Sequence, residues 1–223
     1  FTAAIDGLNI HFIREDGSGD NPKALLMTHG WPGSVYEFND VIDRLAHPEN
    51  YGGDAQDGVT VICPSLPGYG FSDAPPRPIG QVTTAALWNK LMTEVLGFET
   101  YIAQGGDWGS VVTGLIGLNH SVEKGGGCAA IHINMYGLRA NAVPENEAEE
   151  KWMAEALAVI EAESAYLQLQ VTKPQTLIYA MMESPVGTAA WILEKFYSWS
   201  DIPEHNGRPD INKRYSNHAL ASN

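Results

Sequence analysis

Short apolar runs alternate with helix-spaced apolar residues along the first half of the chain. The two apolar stretches within 2–13 are separated by Asp6-Gly7, a pair that favours a hairpin turn. Four further short runs predict strands, and helical patterns lie between them. The predicted strands cover 24–28, 59–63, 101–103 and 129–133, and the predicted helices cover 35–45, 84–96 and the residues from Val111 onward. Strands that alternate with helices predict a mostly parallel sheet with helices on both faces, here with an antiparallel edge made by the first strands.

The pattern becomes entirely helical after Leu138. A long helix is predicted over 146–170, because Pro144 and an acidic first turn mark its start. Two shorter helices are predicted over 176–182 and 189–197. We interpret this block as a cap over the edge of the sheet where a binding site would lie. The sequence therefore predicts an α/β core over 1–138 and a helical cap over 139–223.

Composition restricts the classes of partner. Hydrophobic residues make up 44% of the 223 residues and charged residues 18%, as in soluble globular proteins. The formal charge of −14 opposes binding to nucleic acid or to anionic lipid, so a small neutral molecule is the expected partner. We find neither an apolar run long enough to cross a bilayer nor a secretory signal, which favours the cytoplasm. The composition does not predict an oligomeric state.

The two cysteines, Cys63 and Cys128, lie in apolar strand-like runs and are expected to be buried free thiols. No spacing typical of metal ligands occurs, so no metal site is predicted.

The segment Gln104-Gly105-Gly106-Asp107-Trp108-Gly109-Ser110 follows one predicted strand and precedes a predicted helix. A nucleophile flanked by small residues in this position is typical of the nucleophile elbow of α/β-hydrolases. Here the nucleophile would be Asp107, and a carboxylate attacks an alkyl carbon, opening an epoxide or expelling a halide, to leave an ester on the enzyme. The alternative is an ordinary turn, in which glycine supplies positive φ and aspartate binds backbone amides.

A second motif, Thr28-His29-Gly30-Trp31-Pro32-Gly33-Ser34, closes the predicted strand over 24–28. In α/β-hydrolases this loop supplies one backbone donor to the oxyanion of the ester intermediate, and the residue after the nucleophile supplies the other. Those positions are Trp31 and Trp108. We expect His29 to brace the loop and not to transfer protons, since a lone histidine is more often a packed, hydrogen-bonded residue. A Gly/Pro turn with an incidental histidine is the alternative.

Together these motifs resemble epoxide hydrolases of the α/β-hydrolase fold, with the microsomal and juvenile-hormone type as the nearest branch. The resemblance rests on 28–38, on the Leu66-Pro67-Gly68-Tyr69-Gly70-Phe71-Ser72-Asp73 loop, on 105–110, and on Tyr166, 172–174, 184–187 and 192–196 in the cap. It implies conversion of a small apolar epoxide and water to a vicinal diol through an ester at Asp107, with no cofactor.

In that family two cap tyrosines donate hydrogen bonds to the epoxide oxygen, and Tyr166 matches the first of them. The resemblance places the second tyrosine, the general-base histidine and its acid partner after residue 223. None of the seven histidines is assigned as the base. We therefore expect a partial chain, truncated before the last core strands, that holds the nucleophile half of a site.

Two alternatives stay open at this stage. A haloalkane dehalogenase shares Asp-Trp-Gly at the elbow, but such enzymes usually have asparagine where this chain has Trp31, and they have no chemical use for Tyr166. A non-catalytic hydrolase-fold binding protein, or a fragment that is inactive alone, is the other, because fold does not dictate function.

Overall fold

The computed structural model describes residues 1–135 and 143–222. Most contacts between residues fall within one of two compact units, which are a sheet unit over 1–135 and a helical unit over 143–221. The domain boundary predicted after residue 138 lies outside the described residues.

The sheet unit contains one six-stranded sheet of order β1-β2-β4-β3-β5-β6. Its strands are β1 (Thr2–Ile5), β2 (Leu8–Glu15), β3 (Ala24–Thr28), β4 (Thr60–Pro64), β5 (Tyr101–Gly105) and β6 (Cys128–Ile133). The β1–β2 and β2–β4 pairs are antiparallel, whereas β4, β3, β5 and β6 run parallel. The hairpin, the antiparallel edge and the mostly parallel sheet predicted from the apolar pattern are therefore confirmed.

Helices cover both faces of this sheet. They are α1 (Asn39–Ala46), α2 (Gln81–Lys90) and α3 (Trp108–Asn119), with a 3₁₀ turn at Val35–Phe38 and a π-helical turn at Leu91–Val95. Side chains of consecutive strand residues point to opposite faces, so β3 contributes Leu26 to the core under α2 and α3, and Met27 to the core under α1. The predicted helix over 84–96 begins earlier, at Gln81, and its last turn is π-helical.

The helical unit consists of α4 (Glu147–Glu163), α5 (Ala165–Thr172), α6 (Pro174–Glu183), α7 (Pro185–Ser198) and α8 (Asn217–Ser222), with the two-residue strands β7 (Glu204–His205) and β8 (Arg208–Pro209). Local sequence explains where two of these helices begin. The Asn146 side chain accepts a hydrogen bond of 3.0 Å from the amide of Glu149, and Ser184 accepts one of 3.0 Å from Gly187. Proline occupies the first position of α6 and of α7, where its missing N–H costs nothing.

The prediction of a single helix over 146–170 is wrong. The chain forms α4 and α5, which meet at Ser164, whose ψ of −7° departs from the helical value. Serine is a weak helix former because its hydroxyl competes for local backbone groups. Apolar spacing alone did not reveal this break, which starts a new helix just before Tyr166.

Cys63 and Cys128 are free and buried, as expected. Burial raises the pKa of both thiols above the usual range, so neither is a reactive thiolate near neutral pH. Within 1–135 and 143–222, no helix has the length and apolar character that a membrane crossing requires. Those same residues contain no group of three or more His, Cys, Asp or Glu side chains arranged to hold a metal ion.

Candidate active site

Asp107 lies in the sharp turn between β5 and α3. Its φ of 49° and ψ of −125° lie outside the regions that non-glycine residues normally adopt. The turn is held by Ser110, whose amide and hydroxyl donate hydrogen bonds of 3.0 and 2.7 Å to the carbonyl oxygen of Asp107. Backbone strain held by surrounding contacts is common at functional sites, and here it belongs to the residue that the sequence predicted as the nucleophile.

Close backbone packing explains the small residues on either side of the turn. A Cβ at Gly109 would collide with the carbonyl of Thr28 at the end of β3, and one at Gly105 would collide with the carbonyl of Gly109. The first turn of α3 therefore lies directly against the ends of β3 and β5. Any larger residue at Gly105 or Gly109 would move Asp107.

The backbone amide of Trp31 donates a hydrogen bond of 2.7 Å to Oδ1 of Asp107. The two residues approach because β3 and β5 are parallel neighbours, with Thr28 paired to Gly105 at the carboxyl edge of the sheet. Glycine at position 30 makes room for the carboxylate, since a Cβ there would lie 2.6 Å from Cγ of Asp107. The structure thus brings together Asp107 and the first predicted oxyanion donor.

Trp108, the second predicted donor, is the first residue of α3. The amides in the first turn of a helix have no acceptor within that helix, and the partial positive charge there favours an anion. Trp108 is 40% exposed and lines a cavity of about 170 Å³. The other lining residues are mostly apolar: Leu66, Pro67, Tyr69, Ile79, Gly80, Gln81, Thr84 and Val112.

His29 braces the loop, as expected from its position. The side chain is fully buried, Nε2 accepts a hydrogen bond of 3.0 Å from the amide of Leu66, and Nδ1 lies 3.1 Å from the carbonyl oxygen of Gly30. These partners require the tautomer in which Nδ1 carries the proton and donates it. Burial lowers the pKa of His29, against smaller opposing effects of the Gly30 bond and the Asp107 charge. The ring is therefore neutral and already engaged through both nitrogens.

The Pro/Gly-rich loop after β4 packs against His29. In addition to the hydrogen bond from the Leu66 amide, this loop places Tyr69 edge-on to the His29 ring, with 5.4 Å between ring centroids. Burial, and then the negative charge of Asp107, raise the pKa of Tyr69. The loop is fixed to the sheet by Asp73, whose Oδ2 accepts hydrogen bonds of 2.9 Å from the amide and the side chain of Asn9.

Glu37 is a residue that sequence reasoning missed. The residue is exposed, but its Oε2 atom lies against the loop before it and would be only 2.6 Å from a Cβ at Gly33. Removal of the carboxylate from water, and then the negative charge of Asp107, raise the pKa of Glu37 to about 7. No local pattern in the sequence indicates this environment, because it depends on Asp107, which is far from Glu37 in the sequence.

Tyr166 lies in the helical unit, so it is the one predicted site residue that the sheet unit does not contain. It occupies the first turn of α5, where its ring contacts Trp199 edge-on with 5.2 Å between centroids. The ammonium of Lys195 lies 4.7 Å from the centre of the tyrosine ring.

The chain belongs to the α/β hydrolase fold family. The model of that fold matches residues 23–154, and a model described as the epoxide hydrolase N terminus matches residues 1–38. The resemblance to epoxide hydrolases noted from the sequence motifs is thereby confirmed.

Individual relatives agree with this assignment. A putative epoxide hydrolase of Stigmatella aurantiaca is 42% identical over 90% of this chain and 46% of its own length. Epoxide hydrolase 1 of Oryctolagus cuniculus is 38% identical over 90% of this chain and 48% of its own. The solved Aspergillus niger epoxide hydrolase is 32% identical, with a TM-score of 0.76 over 93% of this chain and 54% of that one. The chain thus spans about half the length of the curated relatives it matches.

Proposed function

We propose that the protein hydrolyses an epoxide to a vicinal diol through an ester formed on Asp107. The observation that carries this proposal is the hydrogen bond of 2.7 Å from the Trp31 amide to the carboxylate of Asp107, at a strained turn between a strand and a helix. A serine in the same place would favour acyl transfer, whereas a carboxylate favours attack on an alkyl carbon. The relatives named as epoxide hydrolases support the same choice of substrate.

In the first step Oδ2 of Asp107 attacks a ring carbon of the epoxide. A new carbon–oxygen bond forms as the strained bond between that carbon and the ring oxygen breaks, and the ring oxygen takes a proton. We assign this attack to Oδ2 because Oδ1 is already engaged by the Trp31 amide.

In the second step water attacks the carbonyl carbon of the ester. Negative charge then develops on Oδ1, where the Trp31 amide is already in place, and we propose the Trp108 amide as the second donor. Collapse of this intermediate breaks the bond between the acyl carbon and the diol oxygen and restores the carboxylate. One proton of the water passes to that diol oxygen, and the other replaces the proton that the ring oxygen took in the first step. His29 is unsuited to activate the water, because its ring is neutral, buried and bonded to backbone through both nitrogens.

Tyr166 is the proposed donor to the epoxide oxygen in the first step. A phenol keeps its proton at neutral pH yet can donate it to the stronger base that forms as the ring opens. The proposed substrate is a small apolar epoxide, in keeping with the apolar side chains among those that line the cavity beside Trp108. Epoxide plus water gives diol with no change in oxidation state, so the reaction balances without a redox cofactor.

The test uses the protein expressed from its complete gene and styrene oxide as the substrate. Asp107→Asn should abolish formation of diol and of a covalent adduct seen in the intact mass. Asp6→Asn is a matched control, since Asp6 has the same φ of 49° but lies in the β1–β2 turn, where it pairs with Lys90. A haloalkane of similar size, tested in parallel, should not be consumed. Normal diol formation by Asp107→Asn would end the proposal.

A further inference from the structure

One charged side chain is buried in the helical unit. Lys195, near the end of α7, is only 6% exposed. All other residues over 143–221 are at least partly exposed. Removing an ammonium from water is costly, and an apolar side chain packs against aromatic rings without that cost. The presence of lysine here therefore calls for an explanation beyond packing.

Its partners form a defined group, which we name the Lys195 cluster: Glu163, Tyr166, Glu194, Lys195, Ser198 and Trp199. The Lys195 ammonium lies 2.6 Å from Oε2 of Glu194 and 3.5 Å from Oε2 of Glu163. It also lies 4.7 Å from the ring centre of Tyr166 and 5.2 Å from that of Trp199. These distances are within the range of cation–π attraction.

The cluster connects three helix ends around one ring. Glu163 ends α4, and its Oε2 accepts hydrogen bonds of 2.9 Å from Ser198 and 3.2 Å from the indole of Trp199. Ser164 then breaks the helix, and Tyr166 enters the first turn of α5. Glu163 thus holds Lys195 and Trp199, and both of these contact the ring of Tyr166.

We propose that Lys195 is a positioning residue for Tyr166, whose ring it holds in one orientation so that the phenol donates to the epoxide oxygen. A change in the side-chain torsions of Tyr166 would separate its ring from the ammonium and from the Trp199 edge at the same time. The carboxylates of Glu163 and Glu194 offset the charge of Lys195. Lys195 therefore acts on the phenol by orienting its ring and not through a strong electric field. This inference rests on the proposed function, in which Tyr166 acts only while the epoxide ring opens.

The inference predicts a difference between the two chemical steps. In the protein from its complete gene, Lys195→Met should slow ester formation from styrene oxide by about tenfold, because a positioned donor is lost. The rate of ester hydrolysis should stay unchanged. Rapid quenching followed by intact mass measures the two rates separately. A merely structural lysine, which fastens α4 to α7, would change both rates or neither.

Three further variants complete the test. Lys151→Met is the matched control, because Lys151 is an exposed lysine of α4 with a glutamate 3.9 Å away, and it should leave both rates unaltered. Lys195→Gln, whose amide can still donate to Glu163, replaces Lys195→Met if that variant does not fold. In a Tyr166→Phe background, the Lys195 substitution should have no additional effect on ester formation.

Equal slowing of both steps, or effects of Lys195 and Tyr166 substitutions that simply add, would overturn the inference. Failure of the wild-type protein to form any ester with styrene oxide would instead refute the proposed function. The two failures are therefore distinguishable.

Discussion

The amide of Trp31 lies 2.7 Å from Oδ1 of Asp107, although the two residues are far apart in the sequence. The parallel pairing of β3 with β5 produces this contact, since both strands end at the same edge of the sheet. Gly30 allows it, because only a residue without Cβ fits beneath the carboxylate. The donor is therefore in place before any substrate arrives, as stabilisation of a developing oxyanion requires.

Gly30→Ala tests this arrangement. The new Cβ would lie 2.6 Å from Cγ of Asp107, so the carboxylate must move away from the Trp31 amide. We expect ester formation from styrene oxide to slow by about 100-fold, as for a nucleophile displaced by about 1 Å. A single-turnover measurement checks this. A rate within twofold of wild type would mean that the position of Asp107 relative to Trp31 is unimportant.

The contact between α3 and β3 predicts opposite effects at two glycines of one helix. Gly109→Ala places a Cβ against the Thr28 carbonyl and should lower the free energy of unfolding by about 3 kcal/mol. Gly114→Ala meets no atom within 4 Å and should raise it by about 0.5 to 1 kcal/mol, since alanine is the better helix former. Urea unfolding of both variants measures the difference. Equal effects would show that the elbow is not packed as tightly as described.

The elbow was predictable because its signal is local. A strand, a turn of small residues and a helix follow one another in the sequence, so the turn at Asp107 could be predicted before any tertiary contact was known. The same holds for the hairpin at Asp6-Gly7 and for the alternation of strands with helices. Residue patterns of this kind reflect backbone conformation, which neighbouring residues largely decide.

Other features depend on contacts between distant segments. The pKa of Glu37 depends on burial and on the charge of Asp107, which is far away in the sequence, and Lys195 meets Tyr166 across two helices. The break at Ser164 interrupts a pattern whose apolar spacing continues through it. Periodicity records which face of a helix is apolar, but it does not record which side chains from other elements will meet there.

The buried His29 predicts a loss of stability in mild acid. Its pKa is lowered in the folded state, so below the ordinary value of 6.5 the unfolded chain takes up a proton that the folded chain does not. The contribution of neutral His29 to the free energy of unfolding is fully present above pH 6.5 and falls as the pH decreases below that value. His29→Gln should flatten the slope of the unfolding free energy between pH 7 and 5. His205→Gln, at an exposed position in β7, should keep the wild-type slope. Identical slopes for all three proteins would contradict the described environment of His29.

For Glu37 we expect the opposite dependence of the unfolding free energy on pH. Its folded-state pKa of about 7 exceeds the ordinary value of 4.5, so the unfolded chain releases its proton first as the pH rises. The contribution of Glu37 to the free energy of unfolding is fully present below pH 4.5 and is lost as the pH rises through about 7. Glu37→Gln should therefore gain stability over wild type between pH 5 and 8. Glu123→Gln, an exposed control in the 3₁₀ turn after α3, should not. A stability difference between Glu37→Gln and wild type that does not vary with pH would contradict the assignment.

The fate of the water oxygen tests the central claim most directly. Protein from the complete gene, in excess over styrene oxide in ¹⁸O-labelled water, is allowed one turnover. If Asp107 forms the ester and water attacks its carbonyl carbon, the first diol carries no label. The label then appears in the peptide that contains Asp107. A labelled diol with an unlabelled Asp107 would mean that water attacks the epoxide directly, which would contradict the proposed role of this carboxylate.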